Sequence, residues 1–410
     1  MRLLFVVQRY GPEVAGGAEA ACRSVAGGLA RRGHDVHALT SCAQSYVDWA
    51  NVYPEGTEEI DGVLVHRLSV SHRRDDRFFG PMNARAVYGG RPAPLYLQQQ
   101  WMRMQGPEVL GLAPWLTERA QDYDAVAFFT YLYYTTWAGL PVASGLVPTV
   151  LHPTAHDEPP IYLQLFDFMF RLPTAFGYLT EEEETLVERR FHVRRPSAVI
   201  GLGVDLEATG DADAFRASYG LGDRPYLLYV GRLDPDKGSD ELYGYFTSYK
   251  ARNPGPLALV VVGEPVKPMP PHPDVFCTGW VEEETRVSAV TGCLSLVQPS
   301  YYESFSLVLA EAWAQSKPAL VQRQSEVLLG QAQRSAGAIP FRGFAEFEVA
   351  VSLLTSDPQL CAELGQRGRA YVERRYRWDV VLDREEDLLQ TAMHMFRQST
   401  SPAATRSSHR

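Results

Sequence analysis

Short apolar runs alternate with amphipathic stretches along almost the whole chain. Residues 3–7, Leu-Leu-Phe-Val-Val, form the first run, the pattern of a strand buried on both faces. Residues 19–32 read as a helix, with Ala20, Val25 and Leu29 on one side and Gly33 as its stop. Strands are predicted at 36–40 and, with more alternation and so nearer an edge, at 63–70. Others follow at 125–130, 148–151, 176–179 and 198–201, with helices at 108–121 and 181–191. After a polar, glycine-containing stretch at 211–223 the alternation restarts. It predicts strands at 226–230, 257–262, 275–278, 294–298 and 319–322, separated by helices at 240–252, 281–290 and 307–315. From 345 to about 396 the pattern is helical. Repeated strand–helix units imply mostly parallel, doubly wound sheets. The chain therefore reads as an α/β protein of two Rossmann-like domains, 1–203 and 204–377, joined near Val204. Residues 399–410, rich in Ser, Thr and Arg, are expected to form a disordered tail.

Residues 71–106 break this rhythm. They hold Arg73, Arg74, Arg77, Phe78, Phe79 and Trp101, and a loop this long in a compact domain is usually functional. The stretch is read as a lid or acceptor-facing insertion, with plain surface elaboration as the alternative. At 410 residues the chain exceeds what one hydrophobic core supports, in keeping with two domains. Thirty-nine basic against forty-nine acidic residues leave a net charge of −10, which argues against a non-specific nucleic-acid binder. Five scattered cysteines form no CxxC pair, so neither a disulfide framework nor a zinc site is expected, and a reducing cytoplasm suits the chain. The opening apolar run is too short for a signal-peptide core, and no stretch is long enough to span a membrane. Lysine occurs only at 237, 250, 267 and 317, which makes a well-placed lysine informative.

In open parallel sheets ligands bind beyond the carboxyl ends of strands, so the segments just after each strand carry the candidate chemistry. The strand 226–230 runs into Gly231-Arg232-Leu-Asp-Pro-Asp-Lys237-Gly238 and then a helix. An arginine and a lysine five apart, with glycines and a helix start, make a phosphate clamp. The strand 294–298 runs into Pro299-Ser-Tyr-Tyr-Glu303-Ser304-Phe305-Ser306-Leu307-Val-Leu-Ala-Glu311. Small residues at 304 and 306 open a helix whose free amides form an anion cradle between two carboxylates. That suits an elongated ligand with phosphates in the middle and hydroxyls at both ends, because carboxylates accept hydrogen bonds from sugar hydroxyls. The pairs Asp122/Asp124, Asp211/Asp213 and Asp234/Asp236 have the spacing of a metal-binding motif, but none has a supporting histidine and no metal is expected.

Together these two motifs resemble the nucleotide-sugar site of glycosyltransferase family 4, retaining transferases of the two-domain GT-B fold. The resemblance covers most of residues 1–395. It implies two Rossmann-like domains facing across a cleft and a last helix, here 378–396, that crosses back onto the N-terminal domain. It also implies that Arg232 and Lys237 hold the donor diphosphate, that Glu303 contacts the transferred sugar, and that Glu311 contacts the ribose. Ser304 and Ser306 stand where the family commonly has glycine. Gly16-Gly17 matches the glycine pair after the family's first strand, expected near the donor phosphates or sugar. The family's histidine near the sugar has two candidates after the strand 148–151: His156, preferred for its His-Asp dipeptide, and His152. The base is expected beside Gly263-Glu264 and Thr278, Gly279, Trp280 and Val281.

The sequence thus predicts metal-independent transfer of a sugar from a nucleotide-diphosphate donor to a hydroxyl, with His156, Glu303, Arg232 and Lys237 as the catalytic group. The acceptor attacks on the face that the diphosphate leaves; a covalent double displacement is the rival and needs a carboxylate beneath the anomeric carbon. No cofactor is expected. The donor is expected to be a UDP-sugar, with GDP- and ADP-sugars as alternatives. The acceptor is a glycan, a lipid-linked molecule or a small molecule, with peripheral contact at the inner face of the membrane as an added prospect. Competing readings are an epimerase or hydrolase of the same fold, or a non-catalytic binder of sugar nucleotides.

Overall fold

Two parallel sheets organise the chain. The computed structural model describes residues 1–14, 16–233, 237–264 and 269–400. The chain divides into two compact units, one of Met1–Ile200 with the residues from Leu382 on, the other of Gly201–Val381. The junctions fall three or four residues from the 203/204 and 377/378 expected.

The first unit holds β1 (Arg2–Val6), β2 (Asp35–Ser41), β3 (Gly56–Ile60), β4 (Val63–Leu68), β5 (Ala125–Phe129), β6 (Thr149–His152), β7 (Ala175–Tyr178) and β8 (Ser197–Val199). Their order is β3-β4-β2-β1-β5-β6-β7-β8, parallel throughout except that β3 runs antiparallel to β4. Strands β1, β2 and β5 are almost wholly buried, which is why they read as continuous apolar runs. Strand β3, Gly-Thr-Glu-Glu-Ile, was not predicted: it lies at the sheet edge, exposed except at half-buried Ile60, and has no apolar face to announce it. The second unit holds β9 (Tyr226–Val230), β10 (Ala258–Val262), β11 (Val275–Gly279), β12 (Ser295–Gln298), β13 (Ala319–Gln322) and β14 (Ala338–Phe341), in the order β11-β10-β9-β12-β13-β14 and all parallel. Strand β14 was also missed. It contains Pro340, which a sheet tolerates at an edge.

The expected loop at 71–106 is instead two helices, Asp76–Ala86 and Leu95–Gln105. Trp101 and Met102 are fully buried and join the core of the first unit. The Trp101 indole N–H donates to Asn83 Oδ1 at 2.9 Å, tying the two helices together. Phe79 packs on the same core, and Arg74 is held by the carbonyls of Val47, at 3.1 Å, and Tyr46. Arg73, Arg77 and Phe78 remain exposed.

The last helix, Trp378–Thr400, starts in the second unit and continues into the first. Within the first unit its residues are fastened in three ways. Leu382 lies against Gly28, where a Cβ would come within 2.8 Å of its methyls. Glu386 pairs with Arg32 at 3.2 Å and His34 at 3.0 Å. Glu385, fully buried, pairs with buried His152 at 3.1 Å. Ser399 and Thr400 belong to this helix, so the expected tail is not unstructured from 399; its residues 401–410 lie outside the described residues.

Candidate functional site

The strand order of the second unit is 3-2-1-4-5-6 when its strands are numbered within the unit, and it reverses between β9 and β12. A crevice opens beyond the carboxyl ends of strands at such a reversal, because the two connections leave on opposite faces. Both charged motifs follow these two strands. After β9 the backbone turns at Gly231, whose N–H donates to Val262 O at 3.0 Å. The Tyr229 hydroxyl donates to Arg232 O at 2.6 Å, which pins the backbone of the arginine. Beside it Gly263 comes so close that a Cβ would lie 2.0 Å from Gly231 O, so no other residue fits there. Gly263 N–H in turn donates to Gly279 O at 2.9 Å, drawing the ends of β10 and β11 together.

Gly238 caps the helix Ser239–Arg252 in the left-handed region, at φ 71°, and a Cβ on it would meet Pro299 O at 2.5 Å. Glycine is required twice over, by conformation and by contact. This close approach carries Lys237 to the loop after β12, where its Nζ donates to Glu303 Oε1 at 2.9 Å and Tyr302 O at 3.3 Å. Lys237 and Glu303, expected at the diphosphate and at the sugar, are therefore paired with each other. Asp234 and Asp236, expected as turn and helix-start residues, lie outside the described residues.

Ser306 caps the helix Leu307–Ala314 at φ 67°, a conformation that favours glycine. Its hydroxyl accepts from Gln298 Nε2 at 2.9 Å, and Gln331 Nε2 donates to Phe305 O. The Phe305 side chain is 2% exposed and packs edge-on against Tyr376 at 4.9 Å between ring centroids. The Phe305 ring is thus an anchor of the second unit, and its carbonyl is taken by Gln331. Leu307 sits at the exposed helix start, and Trp280, after β11, is 63% exposed.

Glu311 is not an open carboxylate. Arg286, on the helix Glu283–Gly292, grips both its oxygens, with Nη2 at 3.1 Å from Oε1 and Nη1 on Oε2. Each side chain is only 20% exposed. Burial pushes the Glu311 carboxyl above the usual range, and Arg286 opposes that shift. Arg286 was missed because it lies 25 residues from its partner, behind three consecutive glutamates, and nothing local marks it.

In the first unit the order reverses between β1 and β5. Gly16 and Gly17 open the helix Gly17–Arg31 that follows β1. A Cβ on Gly16 would lie 2.2 Å from Glu19 Oε2, whose buried carboxylate is fixed by Arg9 at 2.5 Å. A Cβ on Gly17 would meet nothing within 4 Å. After β6 the two histidines part. His152 stacks on Phe129 at 4.3 Å and is buried against Glu385, a core role. His156 keeps 29% of its side chain exposed, with Nε2 3.3 Å from Glu158 Oε2, and Glu158 accepts from the Tyr131 hydroxyl at 3.0 Å. The intervening loop is pinned by Glu183, which accepts from Ala155 N–H at 2.7 Å and Leu179 N–H at 2.6 Å. Complete burial pushes the Glu183 carboxyl up to about 7, although both N–H groups favour its ionised form. Among the other aspartates considered for a metal, Asp124 accepts from Arg2 N–H at 2.7 Å and Asp211 caps the helix Ala212–Ser218.

Comparison with known proteins bears on the second unit first. Residues 211–371 match the family Glycosyl transferases group 1. Arg232, Lys237, Glu303 and Glu311 all fall inside the matched residues, as does Arg286, whereas Gly16, Gly17 and His156 fall outside. Over these residues the second unit is similar to a glycosyltransferase domain. D-inositol 3-phosphate glycosyltransferase from Saccharomonospora viridis is 27% identical over 231 residues, which cover 51% of this chain and 53% of that protein. The chain spans about half the length of the curated relatives it matches. Among solved structures, sucrose-phosphate synthase from Thermosynechococcus elongatus aligns with a TM-score of 0.69 at 16% identity, over 97% of this chain and all of that one. HepE from Anabaena in complex with UDP aligns with a TM-score of 0.69 at 15% identity, over 95% and 100%. These neighbours establish a GT-B type α/β fold. Among the described residues no helix is long and apolar enough to cross a membrane.

Proposed function

We propose that the protein is a retaining, metal-independent glycosyltransferase of family 4 that moves a sugar from a UDP-sugar to a hydroxyl of a glycan, lipid-linked or small-molecule acceptor. The observation that carries this reading is the meeting of Lys237 and Glu303 at the strand reversal of the second sheet. The two groups come from different strand ends and are brought together by a glycine that no other residue can replace. In the resting protein they satisfy each other. A donor would separate them: its diphosphate takes Lys237, and a hydroxyl of its sugar donates to the released Glu303 carboxylate.

Arg232, Lys237 and the amides that open the helix at Leu307 then face the diphosphate and stabilise the charge it gains on leaving. The bond from the anomeric carbon to the phosphate oxygen breaks with its electron pair going to the phosphate. The acceptor oxygen bonds to the anomeric carbon on the same face, and the departing phosphate takes the acceptor's proton. His156 is assigned to the sugar because it is the exposed member of the two histidines after β6. The match to the group 1 family supports transfer, and the UDP-bound neighbour of like fold supports uridine as the base.

The test is donor binding followed by transfer. UDP is expected to raise the melting temperature by mass action, more than GDP or ADP. Arg232→Ala and Glu303→Gln are each expected to lower kcat/KM for transfer by about a hundredfold or more. Transfer at the wild-type rate in both variants would overturn the site. Loss of activity in chelator, restored by manganese, would overturn metal independence. Release of free sugar or an epimer without acceptor would favour the hydrolase or epimerase.

A further inference from the structure

We propose that Arg286 is a positioning residue for the donor's ribose, holding the Glu311 carboxylate in place and aimed at the two ribose hydroxyls. The inference rests on the donor-binding reading above, and deepens it by naming a residue outside both motifs. Its basis is geometric. Arg286 comes from the helix Glu283–Gly292 and meets Glu311 end-on, one guanidinium nitrogen to each carboxylate oxygen. Such a fork sets the plane of the carboxylate as well as its charge. It uses one lone-pair direction on each oxygen and leaves the other free. Two parallel acceptors remain, a match for the vicinal diol of a ribose and a poor match for a deoxyribose.

The surroundings leave this task to Arg286. The helix Leu307–Ala314 carries no other ionisable side chain, and neither do β12 and β13, which pack against it. Glu283 also faces the pair, accepting from the same Arg286 Nη2 at 2.8 Å, and repels Glu311. From the helix Pro358–Arg375, Arg369 reaches only the end of the helix, at Ala314 O. Burial alone would favour a protonated Glu311, and a protonated carboxyl loses the paired acceptors the diol needs.

The experiment is UDP and 2′-deoxy-UDP binding by calorimetry at pH 6 and pH 8. It compares the wild type, Arg286→Ala, Arg286→Lys, Glu311→Gln and the double variant Arg286→Ala/Glu311→Gln. Arg286→Ala is expected to weaken UDP binding by about tenfold at pH 8 and by more at pH 6, because losing the arginine leaves the upward push of burial on the Glu311 carboxyl unopposed. The ratio of wild type to variant cancels the titration of UDP itself. Arg286→Lys is expected to restore the pH independence of that ratio without restoring all of the affinity. Preference for UDP over 2′-deoxy-UDP should shrink in Arg286→Ala, and the arginine change should cost nothing further once Glu311 is Gln. The double variant leaves no unpaired buried charge, so it serves where Arg286→Ala does not fold. Equal UDP binding by wild type and Arg286→Ala at both pH values overturns the inference and leaves the donor site standing. An added loss from Arg286→Ala in the Glu311→Gln background also overturns it. Failure of the wild type to bind UDP, GDP or ADP overturns the site and the inference together.

Discussion

At the scale of single residues, the glycine pair separates structure from function. Gly16 cannot carry a Cβ without displacing the buried Arg9–Glu19 pair, whereas Gly17 opens onto empty space. Gly17→Ala is therefore expected to leave the stability unchanged or raised by up to about 1 kcal/mol, read by chemical denaturation, since alanine suits a helix better than glycine. If the resemblance places this residue correctly, transfer falls at least tenfold in the same variant; unchanged kinetics would remove Gly17 from the site. Glu183 gives a second test. Its folded pKa of about 7 lies above the ordinary carboxyl value of 4.5, so the folded state binds the extra proton between these limits. Its contribution to stability is then full below about pH 4.5 and is lost as pH rises through about 7. The melting-temperature difference between wild type and Glu183→Gln should therefore shift against the wild type from pH 5 to pH 8. A difference independent of pH would show that Glu183 titrates as an ordinary carboxyl. Both motifs around Arg232 and Glu303 were legible because each is continuous in sequence. Arg286 and Glu183 were not, since Glu311 and the Ala155 N–H, on which they act, lie 25 and 28 residues away and are brought near only by folding.

At the scale of elements, the segment 71–106 shows what hydrophobic periodicity can conceal. Its aromatic and arginine residues suggested an acceptor-facing loop, yet the tryptophan, one phenylalanine and one arginine serve as anchors for two helices. Trp101→Ala is expected to cost about 3–5 kcal/mol by the cavity it leaves, read by chemical denaturation. A loss under 1 kcal/mol would mean the helices do not rest on this side chain. The helix 76–86 was hidden because Ala86 is its only fully buried residue, so it has little apolar stripe to read. Strands β3 and β14 escaped for a related reason: each is an edge strand, one without apolar residues facing a core and one interrupted by proline.

At the scale of the whole molecule, the first unit is completed by residues from the far end of the chain. Leu382 fills the space over Gly28, Glu386 binds Arg32 and His34, and Glu385 hydrogen-bonds the buried His152. A chain ending at residue 381 is expected to lose cooperative unfolding of the first unit, measured as a low-temperature transition or insolubility. The single change Glu385→Ala is expected to cost about 1–3 kcal/mol, because it leaves a buried histidine ring nitrogen without its hydrogen-bond partner. A melting temperature within about one degree of the wild type would show that the return segment is dispensable. The net charge of −10 belongs to this scale too, and it places no limit on an anionic ligand. The proposed site relies on one arginine, one lysine and uncharged amides gathered at a strand reversal.

The amino-acid sequence by itself determined the two α/β units, most of the strand positions and the residues of both charged motifs. These are local properties: apolar runs, glycine placement and charge spacing within a dozen residues. The tertiary structure decided which of those residues meet. It paired Lys237 with Glu303, gave Glu311 its arginine, turned the Phe305 ring into the core, and divided two neighbouring histidines between core and surface. The reason is physical: strand order, and with it the place where two connections diverge, depends on pairings between segments far apart in sequence, and no local pattern encodes them.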